Sequence, residues 1–440
     1  MQTDVSQPEV TVIGGGIAGM AACIHLAKAG FQVLCVEPQA LDTQTVGESL
    51  DWSAPDLLRA LGLPMDQLIR EEVATYKRHV TLKLRDGSSR HYVPGDWLER
   101  PPYNVELKTM HVDRSRLDAA LRKIAIGYGV TLLKDRVIEV ESARRRVTAL
   151  LTAAGTRICS AWYVDASGAS ANLFTRTFKL PARDYGPKKV AMWAYFSVPE
   201  LTEGTTLYAD CGNAEYLQWI WEIPIRSDKI SVGYVAPGEE IKVKRQQGWS
   251  VEEIFRQKLA QYPRFDPLLK AGTEIAPCVR SFRCRVHANV SGRNWVIAGE
   301  AAAMVDPMTS NGVTAALRHA AEGADLIIRS RHRRQLPFLA RAAYNRRVAE
   351  VGKFFNCGIE KVLYEGPIRD RIGSLQAGDV YTVPAWSLNL VYSRLRPKGL
   401  IRTWLYGSML KLFRAAANLY DGYCKRRKPA AQLCGENCLR

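Results

Sequence analysis

Val10-Thr-Val-Ile13, then Gly14-Gly15-Gly16-Ile17-Ala18-Gly19, then Gln32-Val-Leu-Cys-Val-Glu37 is the stretch on which the fold turns. The first apolar run has strand length, the run after Gly16 has helical spacing, and Val33 to Val36 reads as a second buried strand. Together they predict a βαβ unit that opens a parallel sheet. Its glycines fall where the chain turns sharply into the helix. Gly14 permits the turn, Gly16 lets backbone approach a pyrophosphate, and Gly19 lets helix and strand pack closely. Free N–H groups and the positive dipole end of the helix, starting at Ile17 and Ala18, would face that pyrophosphate. Glu37 follows at close to the ~20 residues expected of an acid that hydrogen-bonds a ribose. The combined pattern predicts a dinucleotide site.

Outward from this unit, 440 residues suggest two intimately joined domains. With 47% hydrophobic and 24% charged residues, the chain can bury a sizeable core. Sixty-one basic against 44 acidic residues give a net charge of +17. That favours an anionic partner, such as nucleotide phosphates or an acidic protein. The opening residues are polar, and no uninterrupted apolar run reaches the ~18 residues of a membrane span. A cytoplasmic protein is therefore expected. Ten scattered cysteines read as reduced thiols. Cys434 and Cys438 are too few ligands for zinc, and the seven histidines show no metal spacing, so no metal is expected. His25 and His319, within helical stretches, read as packing residues.

Further along, Val46-Gly47-Glu48-Ser49-Leu50 precedes a helical stretch from Ala54 to Leu61 and a second amphipathic one ending near Tyr76-Lys77. Val80 to Val93 alternates around Asp86-Gly87, a hairpin signal. His111-Val-Asp-Arg114-Ser-Arg116 leads into a helix ending at Gly129, and Val130 to Val140 suggests a strand pair. Trp162-Tyr-Val-Asp165-Ala-Ser-Gly168 is an apolar strand entering a glycine turn. From Val190 to Val235 the period changes to alternation, predicting an antiparallel sheet, with Arg226-Ser-Asp-Lys229 as one of its turns. Asn294 to Gly299 returns to a buried strand. Glu300 to Gly312 then leads into a long helix, opened by Asn311-Gly312, whose free N–H groups can hold an electron-rich ring edge or an anion. Beyond Ser330 the chain is basic and helical, closing in a tail with Lys425-Arg-Arg-Lys428.

These pieces, in this order, resemble the FAD-dependent monooxygenase superfamily and, within it, the flavin-dependent halogenase branch. The resemblance covers residues 8 to 330 in outline. It rests on the glycine loop with Glu37, the Arg114 helix start, Asp165-Ala-Ser-Gly168, and Gly299-Glu300-Ala-Ala through Pro307, Asn311 and Gly312. Gly47-Glu48-Ser49 resembles a short halogenase segment, and Trp219-Ile-Trp221-Glu-Ile-Pro224 matches the Trp-x-Trp-x-Ile-Pro pattern at every fixed position. Lys77 resembles the halogenases' active-site lysine, which lies between flavin and aromatic substrate. Three positions depart from the pattern: Met304 stands for Phe, Thr309 for the catalytic Glu of tryptophan halogenases, and Glu300 for Asp.

The resemblance implies an α/β fold: a Rossmann-like FAD-binding domain with an inserted antiparallel substrate sheet and a helical C-terminal region. The expected segments are 1–78, 111–180 and 286–330 for FAD, 79–110 and 181–285 for the substrate sheet, and 331–440 for the basic helices. Expected FAD ligands are Gly14, Gly16, Ile17, Ala18, Gly19, Glu37, Ser49, Arg114, Asp165, Gly299, Glu300, Pro307, Asn311 and Gly312. Lys77, Glu48, Trp219 and Trp221 are the candidate catalytic residues, and Trp52, Trp97 and Trp193 are further candidates for lining an apolar pocket. The family's chemistry uses O2, which converts reduced flavin to a C4a-hydroperoxide. Electrons come from NAD(P)H directly or through a separate flavin reductase.

The leading expectation is hydroxylation of an electron-rich aromatic ring, of indole or phenol type. A +17 chain with basic C-terminal helices suits an anionic peptide or protein substrate, as in the halogenase-like flavoproteins that mature tryptophylquinone cofactors. The alternative is a halogenase acting on an aromatic substrate. A flavin reductase of the geranylgeranyl-reductase type would consume no oxygen. A nucleic-acid or membrane binder is disfavoured, because the aromatics cluster in the sheet and do not interleave with basic runs such as Arg329 to Arg334.

Overall fold

A computed structural model describes residues 8–38, 45–83, 89–92, 108–171, 173–198, 204–210, 216–271, 277–360 and Tyr364. The proposed hairpin tip at Asp86-Gly87, Trp97 and the basic tail with Cys434 and Cys438 lie outside them.

The opening stretch forms the βαβ unit: strand Val10–Ile13, helix Ile17–Lys28 and strand Val33–Val36. They enter a five-stranded sheet in which Trp295–Ile297, Trp162–Asp165, Val10–Ile13, Val33–Val36 and Thr131–Leu133 lie side by side, all parallel. Every residue of the first two strands is buried, as expected of a parallel sheet covered on both faces. The helix Ile17–Lys28 is apolar nearly all round because it is wedged between the sheet and a second helix, Gly312–Ile328. Asp113 starts the helix Arg114–Gly127, its carboxylate accepting from the Ser115 and Arg116 amides at 3.0 and 3.4 Å.

The alternating segment forms the centre of an eight-stranded sheet ordered 303–304, 278–287, 182–197, 229–237, 218–226, 205–210, 80–83, 89–92. All neighbours are antiparallel except Thr205–Asp210 with Val80–Lys83, which run parallel. Arg226 pairs with Lys229 across the expected turn. The period-2 alternation divides this sheet into two faces. Ile220, Val232 and Tyr234 pack under Ile254, Phe255 and Phe265 from the helical segment 238–271. Trp193, Trp219, Trp221 and Ile223 face the opposite way. Gly233 sits opposite both Trp193 and Trp221, and a Cβ there would fall about 2.1 Å from the Trp221 ring. The missing side chain is the space the indole occupies.

Two local expectations are corrected. The amphipathic stretch before Lys77 breaks after the helix Met65–Arg70, and Ala74–Lys77 is a strand paired antiparallel with Thr109–Val112. β-propensity at Val73, Thr75 and Tyr76 and the partner strand outweigh the helical spacing. Val130 to Val140 does hold two strands, but they do not pair with each other. Thr131–Leu133 joins the parallel sheet, while Val137–Ala143 turns back with Arg146–Thr152 in a separate three-stranded sheet.

Candidate functional site

Two connected hollows run from the glycine loop to the tryptophan face of the large sheet, sharing Gly16, Thr45, Arg114, Ala166, Gly168 and Arg280. The first, about 570 Å³, is walled by Gly14, Gly15, Gly16, Glu37, Arg114, Arg136 and Ser167. The second, about 250 Å³ and mostly apolar, is walled by Ile17, Ala18, Glu48, Ser49, Trp219, Trp221, Glu300, Pro307, Met308, Ser310 and Gly312.

The glycines at the first hollow do what their spacing requires. Gly14 has φ +96°, and a Cβ there would lie 2.4 Å from the Ala166 carbonyl oxygen. A Cβ on Gly19 would fall 1.8 Å from the Gly14 carbonyl oxygen, so helix and strand touch through their backbones. A Cβ on Gly16 would meet nothing within 4 Å, leaving the helix N-terminus open to the hollow. Glu37 accepts from the Gly15 amide and lies on the same wall. Amides at a helix start, a carboxylate beside the glycine loop and an apolar continuation are what the ADP and ring halves of FAD require. The residues present fit that cofactor.

Some predicted ligands stand behind the wall. Asp165 is fully buried and spends its carboxylate on the turn it opens, accepting from Ser167 and, at 3.0 Å, from the Phe174 amide. Gly299 (φ +65°) packs against Ala18, where a Cβ would approach to 2.8 Å. Asn311 is buried as the cap residue of the helix Gly312–Ile328. These three shape the walls from behind. Glu300 lies on the wall and bridges to Arg280 at 3.3 Å. Arg114 donates two bonds to Asp118 and one, at 2.7 Å, to the Val46 carbonyl, so it ties the Val46–Ser49 loop to the FAD-side helix. Of the further tryptophans, Trp193 is buried in the sheet away from the wall, and Trp52 stands under Lys77.

Lys77 also stands one residue behind the wall. Its Nζ donates to Ser49 Oγ at 2.9 Å and to the Leu50 carbonyl at 3.0 Å, over the Trp52 ring at 5.0 Å. Burial pushes its pKa down to about 7, against the opposing charge of Asp51. Ser49 reaches the cavity and bonds Thr205 Oγ1 (2.8 Å) and Ser310 Oγ (3.1 Å). Thr205 in turn bonds His111 Nε2 at 3.0 Å, and burial together with the charges of Lys77 and His79 holds that imidazole neutral. Lys77 is therefore an amine that is half free base near neutrality and joined to the cavity through one hydroxyl. Glu48 is likewise buried, its pKa raised by burial, and its carboxylate accepts from Tyr195 OH at 3.0 Å and the Gly47 amide at 3.1 Å.

Sequence reasoning missed Thr205, His111 and the cluster behind Trp219. There Lys189, wholly buried, bridges Asp306 at 2.8 Å and Glu360 at 3.0 Å. Tyr364 links Asp306 (3.1 Å) to the Trp219 indole N–H (2.9 Å). The glycine at 186, φ +64°, leaves the room that Glu360 fills. Only the place of Lys189, next to the start of the alternating stretch at Val190, hinted at it.

A family model, "Tryptophan halogenase", matches residues 9–94 and 102–355. The chain belongs to the tryptophan halogenase family. Among its relatives is the "Tryptophan 2-halogenase" of Chondromyces crocatus, 29% identical over 329 residues, covering 72% of this chain and 60% of that protein. A brominase of 1H-pyrrole-2-carbonyl-peptidyl-carrier protein from Pseudoalteromonas luteoviolacea is 25% identical, covering 72% and 77%. This halogenase-family chain thus spans about 60–67% of the length of the first curated relatives it matches. Among solved structures, the flavin-dependent halogenase CmlS superposes with TM-score 0.67 at 25% identity, over 80% of this chain and 63% of that one. PqsL of P. aeruginosa in complex with 2-aminobenzoylacetate superposes with TM-score 0.68 at 17% identity, over 84% and 99%. The α/β architecture with its FAD-binding sheet and antiparallel insert is the one these neighbours share.

Proposed function

We propose that this chain uses reduced FAD, O2 and a halide ion to halogenate an electron-rich aromatic ring seated against Trp219 and Trp221. The observation that carries the proposal is the buried Lys77, joined to the cavity through Ser49, in surroundings that push its pKa down to about 7. Bound and reduced, FAD supplies the two electrons that turn O2 into an electrophilic oxidant. Gly14, Gly16, Glu37 and Arg114 would hold its dinucleotide half, and Ile17, Ser49, Pro307 and Gly312 would border its ring.

The chain's own residues then do three things. The apolar wall excludes water, which protects a reactive electrophile from hydrolysis. A free-base amine behind Ser49 can hold an oxidised halogen species and pass it to the ring, a task that a fully protonated, solvated lysine could not perform. Trp219, fixed by Tyr364, and Trp221, fixed by Ser231 at 3.0 Å, give a flat apolar surface for an aromatic substrate. The net charge of +17 suits delivery of that ring on an acidic carrier or peptide, and the names of two relatives specify carrier-protein substrates. A separate flavin reductase is the proposed electron source.

A second reading, oxygenation of the ring, is favoured by Thr309, which stands where tryptophan halogenases place a catalytic Glu. On that reading the substrate is an aromatic side chain of a precursor protein, as in tryptophylquinone maturation. Mass spectrometry of indole, phenol and tryptophan-containing peptides after turnover with reduced FAD separates the two. Bromide-dependent products with a bromine isotope doublet support halogenation. A halide-independent gain of one oxygen supports the second reading, and no modified product under either condition refutes both.

A further inference from the structure

An electrophile that adds to an aromatic ring carbon leaves that carbon bearing both the new substituent and its original hydrogen. Aromaticity returns when the C–H bond breaks, its electron pair re-enters the ring, and a base accepts the proton. The same loss follows whether the new bond is to halogen or to oxygen. A base must therefore stand at the wall of the apolar cavity.

The described wall offers few. Thr45, Ser49, Thr205 and Ser310 are hydroxyls, and Arg114 and Arg280 are cations that cannot accept a proton. Two carboxylates remain. Glu300 is bridged to Arg280 and its side chain is 34% exposed, so it sits at the wet end. Glu48 is 1% exposed, beside Ser49 on the loop that Arg114 ties down, on the wall shared with Trp219 and Trp221. We propose that Glu48 is the base that receives the ring proton. This rests on the functional reading above, in either of its two forms.

The surroundings suit the task. The groups facing Glu48 come from four elements: the Gly47 amide on its own loop, Tyr195 on the central strand, Arg114 on the FAD-side helix, and Cys278 on the neighbouring strand. Tyr195 OH, the Gly47 amide and the amide of Glu48 itself fix the carboxylate, and about one of its four lone-pair sites remains for a proton. Burial works against its charge and raises its affinity for a proton, while its own amide, the Gly47 amide, Tyr195 and the charge of Arg114 oppose that rise. A carboxylate tuned in this direction is a stronger base than one in water. The wild-type rate should therefore fall as pH drops through that raised value.

The test uses the FAD-loaded enzyme and an aromatic substrate deuterated at the reacting carbon. Glu48→Gln keeps an oxygen for Tyr195 but cannot take a proton. Its product formation should fall about 10²–10³-fold, with FAD binding and oxygen consumption retained. A primary isotope effect absent in the wild type should appear, and the part of the acid limb set by Glu48 should vanish, leaving the fall near pH 7 that protonation of Lys77 produces. Glu48→Ala, which leaves a carboxylate-sized space, should regain rate on adding formate. A near wild-type rate for Glu48→Gln with no isotope effect would overturn the proposal while leaving the functional reading intact. A slowed Glu48→Gln without an isotope effect, unrescued as Ala by formate, would make Glu48 structural and overturn it too. A wild type that modifies no aromatic ring would overturn both.

Discussion

Replacing Lys77 by methionine keeps the volume of a side chain that is 1% exposed and removes its charge. In the folded protein the Lys77 pKa falls from 10.5 to about 7, chiefly through burial. At about 1.4 kcal/mol for each factor of ten in proton affinity, the folded state disfavours the protonated amine by roughly 5 kcal/mol, an upper figure because local water and relaxation reduce it. The sign follows from proton counting. Below pH 7 the amine is protonated in both states and the wild type bears the whole penalty. Between pH 7 and about 10.5 the unfolded chain holds the proton that the folded chain has released, so stability rises with pH. Above that range the penalty is gone. Methionine does not titrate, so the wild type should gain on Lys77→Met by several kcal/mol from neutral to alkaline pH. Denaturant midpoints of the two proteins across that range measure the difference. A gap that does not change with pH would refute the reasoning, because Lys77 would then be charged and hydrated in the fold.

Two further perturbations address the dinucleotide hollow. Gly16→Val should leave the unfolding midpoint almost unchanged, since a Cβ there meets nothing within 4 Å, yet abolish FAD uptake by filling the space that the pyrophosphate needs. A yellow, FAD-saturated Gly16→Val protein would show that the cofactor lies elsewhere. Glu37→Ala should weaken FAD binding by about 1.5–3 kcal/mol, the scale of a charge-assisted hydrogen bond. An unchanged affinity in a flavin fluorescence titration would remove Glu37 from the ribose.

What could be read in the sequence was local. The βαβ unit declares itself in one run of residues because strand period, helix period and glycine positions are set by near neighbours. The aromatic strand is legible for the same reason: Trp219 and Trp221, two apart, must share a face. Lys77 marks the limit. Its identity stood out, but its strand depends on pairing with Thr109–Val112, and its lowered proton affinity depends on burial that no local pattern encodes. Lys189 is harder still. Its partners Asp306 and Glu360 lie far along the chain, and only the fold brings the three side chains together behind Trp219. Asp165 shows a different limit of local reading. An Asp-x-Ser-Gly turn looks like a ligand, yet its carboxylate is used up by the amides and hydroxyl of its own loop.

The measurement that bears most directly on the account is a single turnover of Lys77→Ala with reduced FAD, O2, bromide and an aromatic substrate that the wild type modifies. FAD should bind, and flavin should be reoxidised by oxygen at the wild-type rate, because the dinucleotide hollow does not include Lys77. Brominated product should be absent. Brominated product at wild-type yield would contradict the claim that the buried amine behind Ser49 carries the halogen to the ring.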